Sequence, residues 1–254
     1  MCPAARLATD VSLHPWAAPE HVRRAVMLQW WQDLTFLHWP LEREHLQQLL
    51  PGNLDVDTFD GAAWIGLVAF RLTVRAPGVP KVPWASAFPE INLRTYVRGP
   101  DGRAGIWFLS LEAPRLGAVV AARAWYQLPY LWAAIEMTKR EDSVTYTSRR
   151  RWPALARPRV SIDVKVGKAI AAEVSDLERF LIGRWRLYSP RSGGLVATQV
   201  EHGPWPLHEA RLIQLDEELT STAGLPRPDG DPLVHFSPGV ATRFAGRQWL
   251  GPRG

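Results

Sequence analysis

The chain has 254 residues and a mass of 28.6 kDa, a length that fits one large domain. Its hydrophobic share of 46% and charged share of 22% are typical of globular proteins and exclude a disordered chain. Cys2 is the single cysteine, which excludes a disulfide framework and a cysteine-based zinc site. No run reaches the ~18 apolar residues of a membrane helix, and the N-terminus lacks the pattern of a secretory signal. We therefore expect a cytoplasmic protein that does not enter a membrane.

The first part of the chain is predicted to contain an extension, strands and one short helix. Residues 1–24 are rich in proline and alanine and predict a loose N-terminal extension, followed by a single domain over residues 25–250. Aromatic and apolar residues at 27–41 predict a strand or strand pair, and EREHLQQLLP predicts a short helix that stops at Pro51. Residues 62–74 are apolar on both faces, which predicts a strand covered on both sides.

The clearest predicted feature is a hairpin over residues 88–112, in which two strands flank the turn sequence PDGRAG. Because side chains alternate along a strand, Glu90, Asn92, Arg94 and Tyr96 share one face. We predict that this face points into an enclosed or semi-enclosed cavity. A sandwich with the same face in water is the alternative, because periodicity does not distinguish the two.

A helix is predicted to begin near Leu116 and to end before Pro129. On this helix Arg123 shares a stripe with apolar residues at the spacing of a core-facing side. An arginine there needs a carboxylate partner, since an unpaired buried charge costs several kcal/mol. We predict that Arg123 is buried and paired, with Glu90 as the first partner and Glu112 as the second. The alternatives are a snorkelling Arg123 and a purely structural ion pair. The stripe consists of Leu116, Val119, Val120 and Arg123.

The rest of the chain is predicted to be mainly strands. SDLERFLIGR predicts a helix with a capping box between Ser175 and Glu178, and LDEELTSTAGL predicts a helix that stops at Gly224. Strands are predicted over residues 142–150 and 158–167 and over the segments WRLYS, GLVATQV and ARLIQLD. Many strands with a few short helices predict an α+β fold, mainly antiparallel β, built as a closed or nearly closed β-barrel or sheet.

The residues that could carry chemistry are few. Glu90 lies among aromatic and apolar residues, surroundings that raise the pKa of a carboxyl group and suit a general acid or base. The seven histidines form no metal-binding pattern, and His38 and His202 are predicted to pack or to bond to the backbone. No H-E-x-x-H, G-x-S-x-G or glycine-rich phosphate loop occurs. We therefore expect no metal and no cofactor.

The net charge of +5 permits nucleic-acid binding in principle. The densest basic cluster, residues 149–151, is predicted to be the solvated end of a strand, and no nucleic-acid-binding signature accompanies it. A pocket for a small anion explains the basic excess equally well. We expect no nucleic-acid partner.

Six segments, LTFLHWPL, LPGNLDVDTFDGAAWIGLVAF, FPEINLRTYV, GIWFLSLEA, ARAWYQLPY and EHGPWPLHEA, follow one another in the order of a known family. On these segments the chain is identified as a member of the YqjF-like family of uncharacterised bacterial proteins, over residues 27–245. That family is similar in turn to acetoacetate decarboxylase. The resemblance implies a large antiparallel sheet that encloses a pocket.

The resemblance also bears on mechanism. Acetoacetate decarboxylase carries a Gly-Arg-Glu-x-x-Gly-aromatic-Pro-Lys-Lys run, whose first lysine forms a Schiff base with the keto acid while the second cation lowers its pKa. The corresponding run here, ARAWYQLPYL, keeps Arg123 and Pro129 but has Tyr130 and Leu131 at the lysine positions. The resemblance therefore does not imply Schiff-base decarboxylation. It aligns Glu90 with the pocket glutamate of the decarboxylase.

Two functions remain open at this point, as does the formation of a homo-oligomer. The first is a protein that binds a small, anionic organic ligand, a carboxylate or carbonyl compound. The second is an enzyme of lyase or isomerase type, in which Glu90 and Tyr130 move protons on a keto or enol substrate. The candidate ligand-binding residues are Arg123, Arg94, Asn92 and Tyr126.

Overall fold

The computed structural model describes residues 18–78, 87–153, 156–170 and 174–252. Residues 1–17 of the predicted N-terminal extension lie outside these ranges. The strands are β1 (Met27–Leu41), β2 (Asp55–Val56), β3 (Ala63–Arg75), β4 (Ala87–Arg98), β5 (Ala104–Ala113), β6 (Tyr130–Lys139), β7 (Ser143–Trp152), β8 (Arg159–Ala169), β9 (Arg186–Arg191), β10 (Gly194–His202), β11 (His208–Glu217) and β12 (Leu233–Pro252). The helices are α1 (Arg43–Gln47), α2 (Leu116–Tyr126), α3 (Asp176–Ile182) and α4 (Leu219–Thr222).

These strands belong to one hydrogen-bonded sheet. Its order is β10-β9-β5-β6-β7-β8-β11-β12-β1-β3-β4-β2, and two further pairings, β10–β12 and β5–β4, partly close it into a ring. The β5–β6 and β5–β9 pairs are parallel, whereas the other paired strands run antiparallel. The predicted fold class, mainly antiparallel β with a few short helices, is confirmed.

The connection between β5 and β6 is helical because the two strands run parallel. A parallel pair cannot be joined by a tight turn and needs a crossover, which α2 supplies. The helix ends at Gln127, whose backbone adopts a left-handed conformation with φ 52°. The chain then enters β6 with Tyr130 beside Leu111 of β5. The crossover therefore delivers Tyr130 to the same end of the sheet as the last residues of the hairpin.

Strand β3 is buried on both faces, as predicted, and separates two groups of core side chains. Ile65 and Leu67 belong to the first group, which is filled by side chains from β6, β7 and β8. Val68, Phe70 and Leu72 belong to the second group, which includes side chains from α2 and α3. We call the first group the filled core. We call the second group the cavity core, because its side chains border a cavity.

The predicted hairpin is formed by β4 and β5, with Ile91 opposite Glu112 and Val97 opposite Gly105. On its other side, β4 pairs with β3 in one unbroken register over residues 87–95. The side chains of β4 therefore alternate strictly between the two cores over this stretch.

Two of the short helices test the capping predictions. The capping box of α3 is confirmed, since Ser175 Oγ accepts a hydrogen bond from Glu178 N at 3.2 Å and Glu178 Oε2 accepts one from Ser175 N at 2.7 Å. The helix predicted to stop at Gly224 is shorter than its pattern indicates, because β11 extends to Glu217 and leaves four helical residues in α4. In the described part of the chain, no helix combines the length and apolarity needed to cross a membrane.

The predicted orientation of α2 is wrong. Val119 is buried, but Leu116 and Val120 are 48% and 58% exposed, and Arg123 is exposed as well. The side of the helix that packs on the cavity core carries Val119 and Ala118. Nearly every residue of α2 is apolar, so the sequence contains no clear 3.6-residue phase from which its inner face can be placed.

Candidate functional site

A cavity of about 440 Å³ lies on the side of β3 that faces the cavity core. Its walls come from β1, β3, β4, β5, β9, β10 and β12, together with α2, the end of α3 and the first residue of β6. Most of these side chains are aliphatic or aromatic. The polar lining residues are Gln29, Arg75, Glu90, Asn92, Arg94, Tyr130, Arg184, Arg186, Thr198 and His202. An apolar cavity of this volume with a few polar groups has the character of a small-molecule site.

The polar face of β4 lies at this cavity. Glu90, Asn92 and Arg94 all line it, while Ile91 and Leu93 point into the filled core. This orientation is the one that the alternation of the strand predicts. A single strand therefore supplies the cavity with a carboxyl, an amide and a guanidinium group.

Opposite Phe70, within the stretch of β3 from Val68 to Arg75 that borders the cavity, Glu90 is 3% exposed and is contacted by two neutral donors. Tyr130 Oη donates a hydrogen bond to Glu90 Oε2 at 2.7 Å, and Asn92 Nδ2 lies 3.4 Å from Oε1. Burial raises the pKa of Glu90 from 4.5 to about 7, although both hydrogen bonds oppose the rise because they favour the ionised carboxylate. Such a carboxyl exchanges a proton near neutral pH. We call Glu90, Asn92 and Tyr130 the carboxyl cluster.

Farther along the same face of β4, Arg94 lines the cavity without a carboxylate partner in the described part of the chain. Its guanidinium carbon lies 5.7 Å from the centre of the Phe36 ring and 5.9 Å from the centre of the Tyr96 ring. Arg94 Nε is buried without a hydrogen-bond partner. The charge of Arg94 is thus supported by aromatic faces and is available to an anion.

Arg184 also lines the cavity but, unlike Arg94, has a carboxylate partner. Arg184 Nη1 donates to Asp57 Oδ2 at 2.7 Å, and both side chains are buried. The Arg184 guanidinium carbon lies 5.1 Å from the Tyr96 ring, so the two arginines contact the same aromatic ring. Arg184 Nη2 is buried without a partner. We call Arg94 and Arg184 the cationic end of the cavity.

His202 is a cavity residue for which the sequence predicts only packing or a backbone hydrogen bond. Its Nδ1 lies 2.7 Å from the carbonyl oxygen of Gly203, and its ring lies 4.7 Å from that of Trp205. Burial lowers the pKa of His202 to about 4, and the charge of Arg94 adds to the decrease. The neutral ring therefore donates from Nδ1 and leaves Nε2 as an acceptor. Nothing in the HGPWP segment distinguishes this position from an ordinary packed histidine.

The predicted pair between Arg123 and Glu90 is wrong. Arg123 is exposed, its Nη1 donates to the backbone oxygen of Tyr130 at 2.8 Å, and its guanidinium carbon lies 5.3 Å from the Trp152 ring. Arg123 does not line the cavity but a neighbouring surface groove. The cause is the phase of α2, which turns Arg123 away from the cavity core. Arg123 therefore contacts the backbone behind the carboxyl cluster rather than its carboxylate.

Glu112, the second predicted partner of Arg123, is paired with Arg150 of β7 instead. Arg150 Nη2 lies 2.5 Å from Glu112 Oε1, and Arg150 Nε lies 3.1 and 3.3 Å from the two carboxylate oxygens. Both side chains are buried. Burial raises the pKa of Glu112, and Arg150 opposes the rise. The middle residue of the basic cluster at 149–151 is thus an internal ion-pair partner, so the prediction of a solvated cluster is wrong for Arg150.

The predicted ligand-binding residues divide into three groups. Asn92 and Arg94 line the cavity, Arg123 does not, and the side chain of Tyr126 lies outside the described part of the structure. Ligand binding by any of them stays a prediction. Within the described ranges, no three histidine, cysteine, aspartate or glutamate side chains are grouped as a metal site needs.

Several solved structures share this fold. An acetoacetate decarboxylase-like enzyme from Sphingomonas wittichii RW1 is 17% identical with a TM-score of 0.62, over 92% of this chain and 97% of that one. The enduracididine biosynthesis enzyme MppR, complexed with pyruvate, is 12% identical with a TM-score of 0.65, over 92% and 94%. The acetoacetate decarboxylase from Legionella pneumophila is 12% identical with a TM-score of 0.57, over 98% and 99%. At these identities the similarity shows the fold alone.

Sequence comparison reaches a nearer relative. The uncharacterized protein YqjF of Bacillus subtilis (strain 168) is 36% identical over 219 residues, which are 84% of this chain and 87% of the relative. Residues 28–241 match the DUF2071 family, described as an uncharacterized conserved protein. The predicted YqjF-like relationship and the acetoacetate decarboxylase-like fold are both confirmed. The chain therefore belongs to the DUF2071 family.

Proposed function

We propose that the protein binds a small carboxylate or carbonyl compound in the cavity. The observation that carries the proposal is Arg94, which lines the cavity with a buried, unpartnered Nε and no carboxylate partner among the described residues. A buried guanidinium nitrogen such as Arg94 Nε loses the hydrogen bond it had in water unless another group restores it. An anionic ligand restores it, and the planar guanidinium suits a carboxylate.

Two further observations support this ligand class. MppR, which has the same fold, is described in complex with pyruvate, itself a small carboxylate. The walls of the cavity are mostly apolar, so the body of a ligand gains from leaving water.

A screen of paired compounds tests the proposal. Carboxylic acids of two to ten carbons, keto acids among them, are each compared with the matching amide by ligand-observed NMR and thermal shift. We expect the acids to bind and Arg94→Gln to remove most of that binding, while Arg71→Gln leaves it unchanged. Arg71 is a suitable control because it is exposed on β3 and does not line the cavity. If no acid or carbonyl compound in the series binds, the proposal is wrong.

A second candidate function, an acid–base enzyme, is favoured by the pKa of about 7 at Glu90. An ionised Glu90 would take a proton from a carbon adjacent to a ligand carbonyl, and the electron pair of that C–H bond would form an enolate. Protonation of Glu90 weakens its hold on the Tyr130 hydroxyl, which then donates to the enolate oxygen. Return of the proton to either end of the enolate completes an exchange or an isomerisation.

Deuterium exchange separates the enzyme from the binding protein. Methyl ketones and keto acids are incubated with the protein in D₂O, and loss of the proton signal next to the carbonyl is followed by NMR. An enzyme exchanges these protons faster than its Glu90→Gln variant, whereas Arg71→Gln exchanges them at the parent rate. If the protein binds these compounds but exchanges their protons no faster than Glu90→Gln does, the enzyme function is wrong and the binding function remains.

Schiff-base chemistry is not part of the proposal. Tyr130 reaches the cavity, Leu131 does not, and no lysine belongs to the described lining. Borohydride treatment with acetoacetate or pyruvate should therefore give no covalent adduct by mass spectrometry, and the protein should release no carbon dioxide from acetoacetate above background. A Tyr130→Lys variant should not gain decarboxylation either, because the neighbouring cation that lowers a lysine pKa is missing. A trapped adduct on the parent protein would contradict this.

A further inference from the structure

We infer that the cavity takes an elongated ligand: a monocarboxylate with an apolar body of about six to eight carbons and an oxygen atom near its far end. The carboxylate lies at the cationic end and the distal oxygen at the carboxyl cluster. The inference rests on the proposed function and names its ligand class. It excludes a three- or four-carbon keto acid as the best-fitting ligand.

Glu90 and Arg94 are far apart along the wall of the cavity. Glu90 and Arg94 are on the same face of β4, which keeps one register against β3 from Ala87 to Thr95. With about 3.3 Å per residue along a strand, their Cα atoms are about 13 Å apart. Both side chains enter the same cavity, so its polar groups are separated along its length.

The described contacts of the Arg94 guanidinium include no member of the carboxyl cluster. The guanidinium contacts Tyr96, which follows Arg94 on β4 in the direction away from Glu90, and Phe36, which lies level with Asn92 across β3. The charge of Arg94 lowers the pKa of His202, whereas the pKa of Glu90 is set by burial and its two neutral donors. Arg94 and Glu90 are therefore separate polar groups of one cavity.

Apart from Asn92, the wall of the cavity between Glu90 and Arg94 is apolar. Opposite β4, Val68 and Phe70 of β3 stand beside Asn92 and Glu90, and both line the cavity. Phe36 of β1 extends this apolar wall. A hydrocarbon body along this wall would be taken out of water over its whole length.

The volume of the cavity also favours a ligand larger than a short keto acid. The cavity of about 440 Å³ has room for roughly fifteen groups of the size of a water molecule, at about 30 Å³ each. A keto acid as small as pyruvate would fill less than half of it and would contact one polar end only. If the guanidinium of Arg94 and the carboxyl group of Glu90 are as far apart as their Cα atoms, about 13 Å, then about 3 Å for a hydrogen bond at each group leaves roughly 7 Å for the ligand. Six to eight carbons with bonds of about 1.5 Å span this length.

A chain-length series tests the inference directly. Isothermal titration would compare acetate, butanoate, hexanoate, octanoate and decanoate, with pyruvate as the short keto acid. We expect the affinity to rise about three- to fourfold per added methylene, the gain for burying one such group, and to level off near octanoate. If pyruvate or acetate binds as tightly as octanoate, the inference is wrong while the proposed function stands. If nothing in the series binds, the proposed function fails as well.

The two ends are tested with modified octanoates. We expect 7-oxooctanoate to bind at least as tightly as octanoate because its ketone reaches the Tyr130 hydroxyl. We expect 3-oxooctanoate to bind at least several-fold more weakly, since its ketone is buried against apolar wall without a donor. Equal affinity of the two oxo acids would remove the distal oxygen from the inference.

The cationic end is tested by charge. Octanamide should bind at least tenfold more weakly than octanoate, and Arg94→Gln should abolish this difference while Arg71→Gln preserves it. If Arg94→Gln does not fold, as judged by circular dichroism, the ratio of the affinities of the parent protein for octanoate and octanamide decides whether a carboxylate lies at the cationic end. A ratio near one contradicts a carboxylate at the cationic end.

Discussion

The hairpin of β4 and β5 contains two buried glutamates whose partners differ in charge. Glu112 faces Arg150, which contacts both of its carboxylate oxygens. Glu90 faces only a hydroxyl and an amide, and its pKa rises to about 7. Burial is similar for the two residues, at 0% and 3% exposure, so the difference lies in the charge of the partner. A buried carboxyl with a guanidinium partner acts as structure, whereas one with neutral donors remains free to exchange a proton.

The largest effect is expected from breaking the ion pair. Arg150→Met should lower the free energy of unfolding by roughly 3–5 kcal/mol, because it leaves the Glu112 carboxylate buried without a counter-charge. Urea denaturation at neutral pH measures the loss. Arg149→Met is the matched control, since Arg149 is the exposed neighbour on the same strand and should change stability by less than about 0.5 kcal/mol. Equal effects of the two variants would mean that the pair contributes nothing.

The pH dependence of stability should reveal the carboxyl without a counter-charge. The pKa of Glu90 is about 7 in the folded state and near 4.5 in the unfolded state, so the folded state binds more protons between these values. The stability that protonated Glu90 confers is present in full below pH 4.5 and is lost as the pH rises through 7.

Comparison with Glu90→Gln isolates this contribution. Between pH 4.5 and 7 the parent should lose roughly 3 kcal/mol relative to the variant, since each pKa unit corresponds to about 1.4 kcal/mol. Denaturant unfolding at several pH values gives the two curves. Parallel curves over this range would show that Glu90 is ionised throughout and would contradict its assignment as the proton-exchanging residue.

A smaller effect should sharpen the comparison within the carboxyl cluster. Tyr130→Phe removes the donor that favours the ionised carboxylate, so the pKa of Glu90 should rise further. At pH 8, where Glu90 is ionised, the variant should lose about 1.5–3 kcal/mol of stability, the scale of a hydrogen bond to a charged group. A carbon-13 NMR titration of the glutamate carboxyls measures the shift. Tyr96→Phe, which removes another buried hydroxyl, should leave the pKa of Glu90 unchanged.

The smallest effect is expected at Arg123. Arg123→Ala should lower stability by less than about 1 kcal/mol, because the side chain is exposed and donates one hydrogen bond to the backbone of Tyr130. A thermal melt measures the change. A loss as large as that of Arg150→Met would show that Arg123 belongs to a buried ion pair after all.

The parts of the site that the sequence predicts are those that repeat along one element. Glu90, Asn92 and Arg94 share a face because the side-chain period of a strand is two, and no other information is needed to group them. The capping box of α3 is equally local, since Ser175 and Glu178 are three residues apart.

The parts that the sequence does not predict depend on contacts between distant segments. Arg150 meets Glu112 because β6 lies between their strands in the sheet, an order that no local pattern encodes. His202 and Arg184 reach the cavity through the pairing of β9 and β10, far along the chain from β4. The direction of the Arg123 side chain depends on the rotation of α2 about its axis. The sequence does not determine this rotation, because the helix is apolar on nearly all sides.

Strand β3 gives adjacent positions of the chain different freedom to change. Leu67 belongs to the filled core, so Leu67→Ala should lower the free energy of unfolding by about 2–5 kcal/mol because it leaves a void. Val68, the next residue, borders the cavity, where a smaller or larger side chain alters the space for a ligand as well as the packing. If the cavity binds a ligand as proposed, a change at every second residue of β3 alters the space for that ligand, while the intervening residues are constrained by the filled core. Variable and constrained positions should then alternate along β3 in relatives that bind ligands of different size.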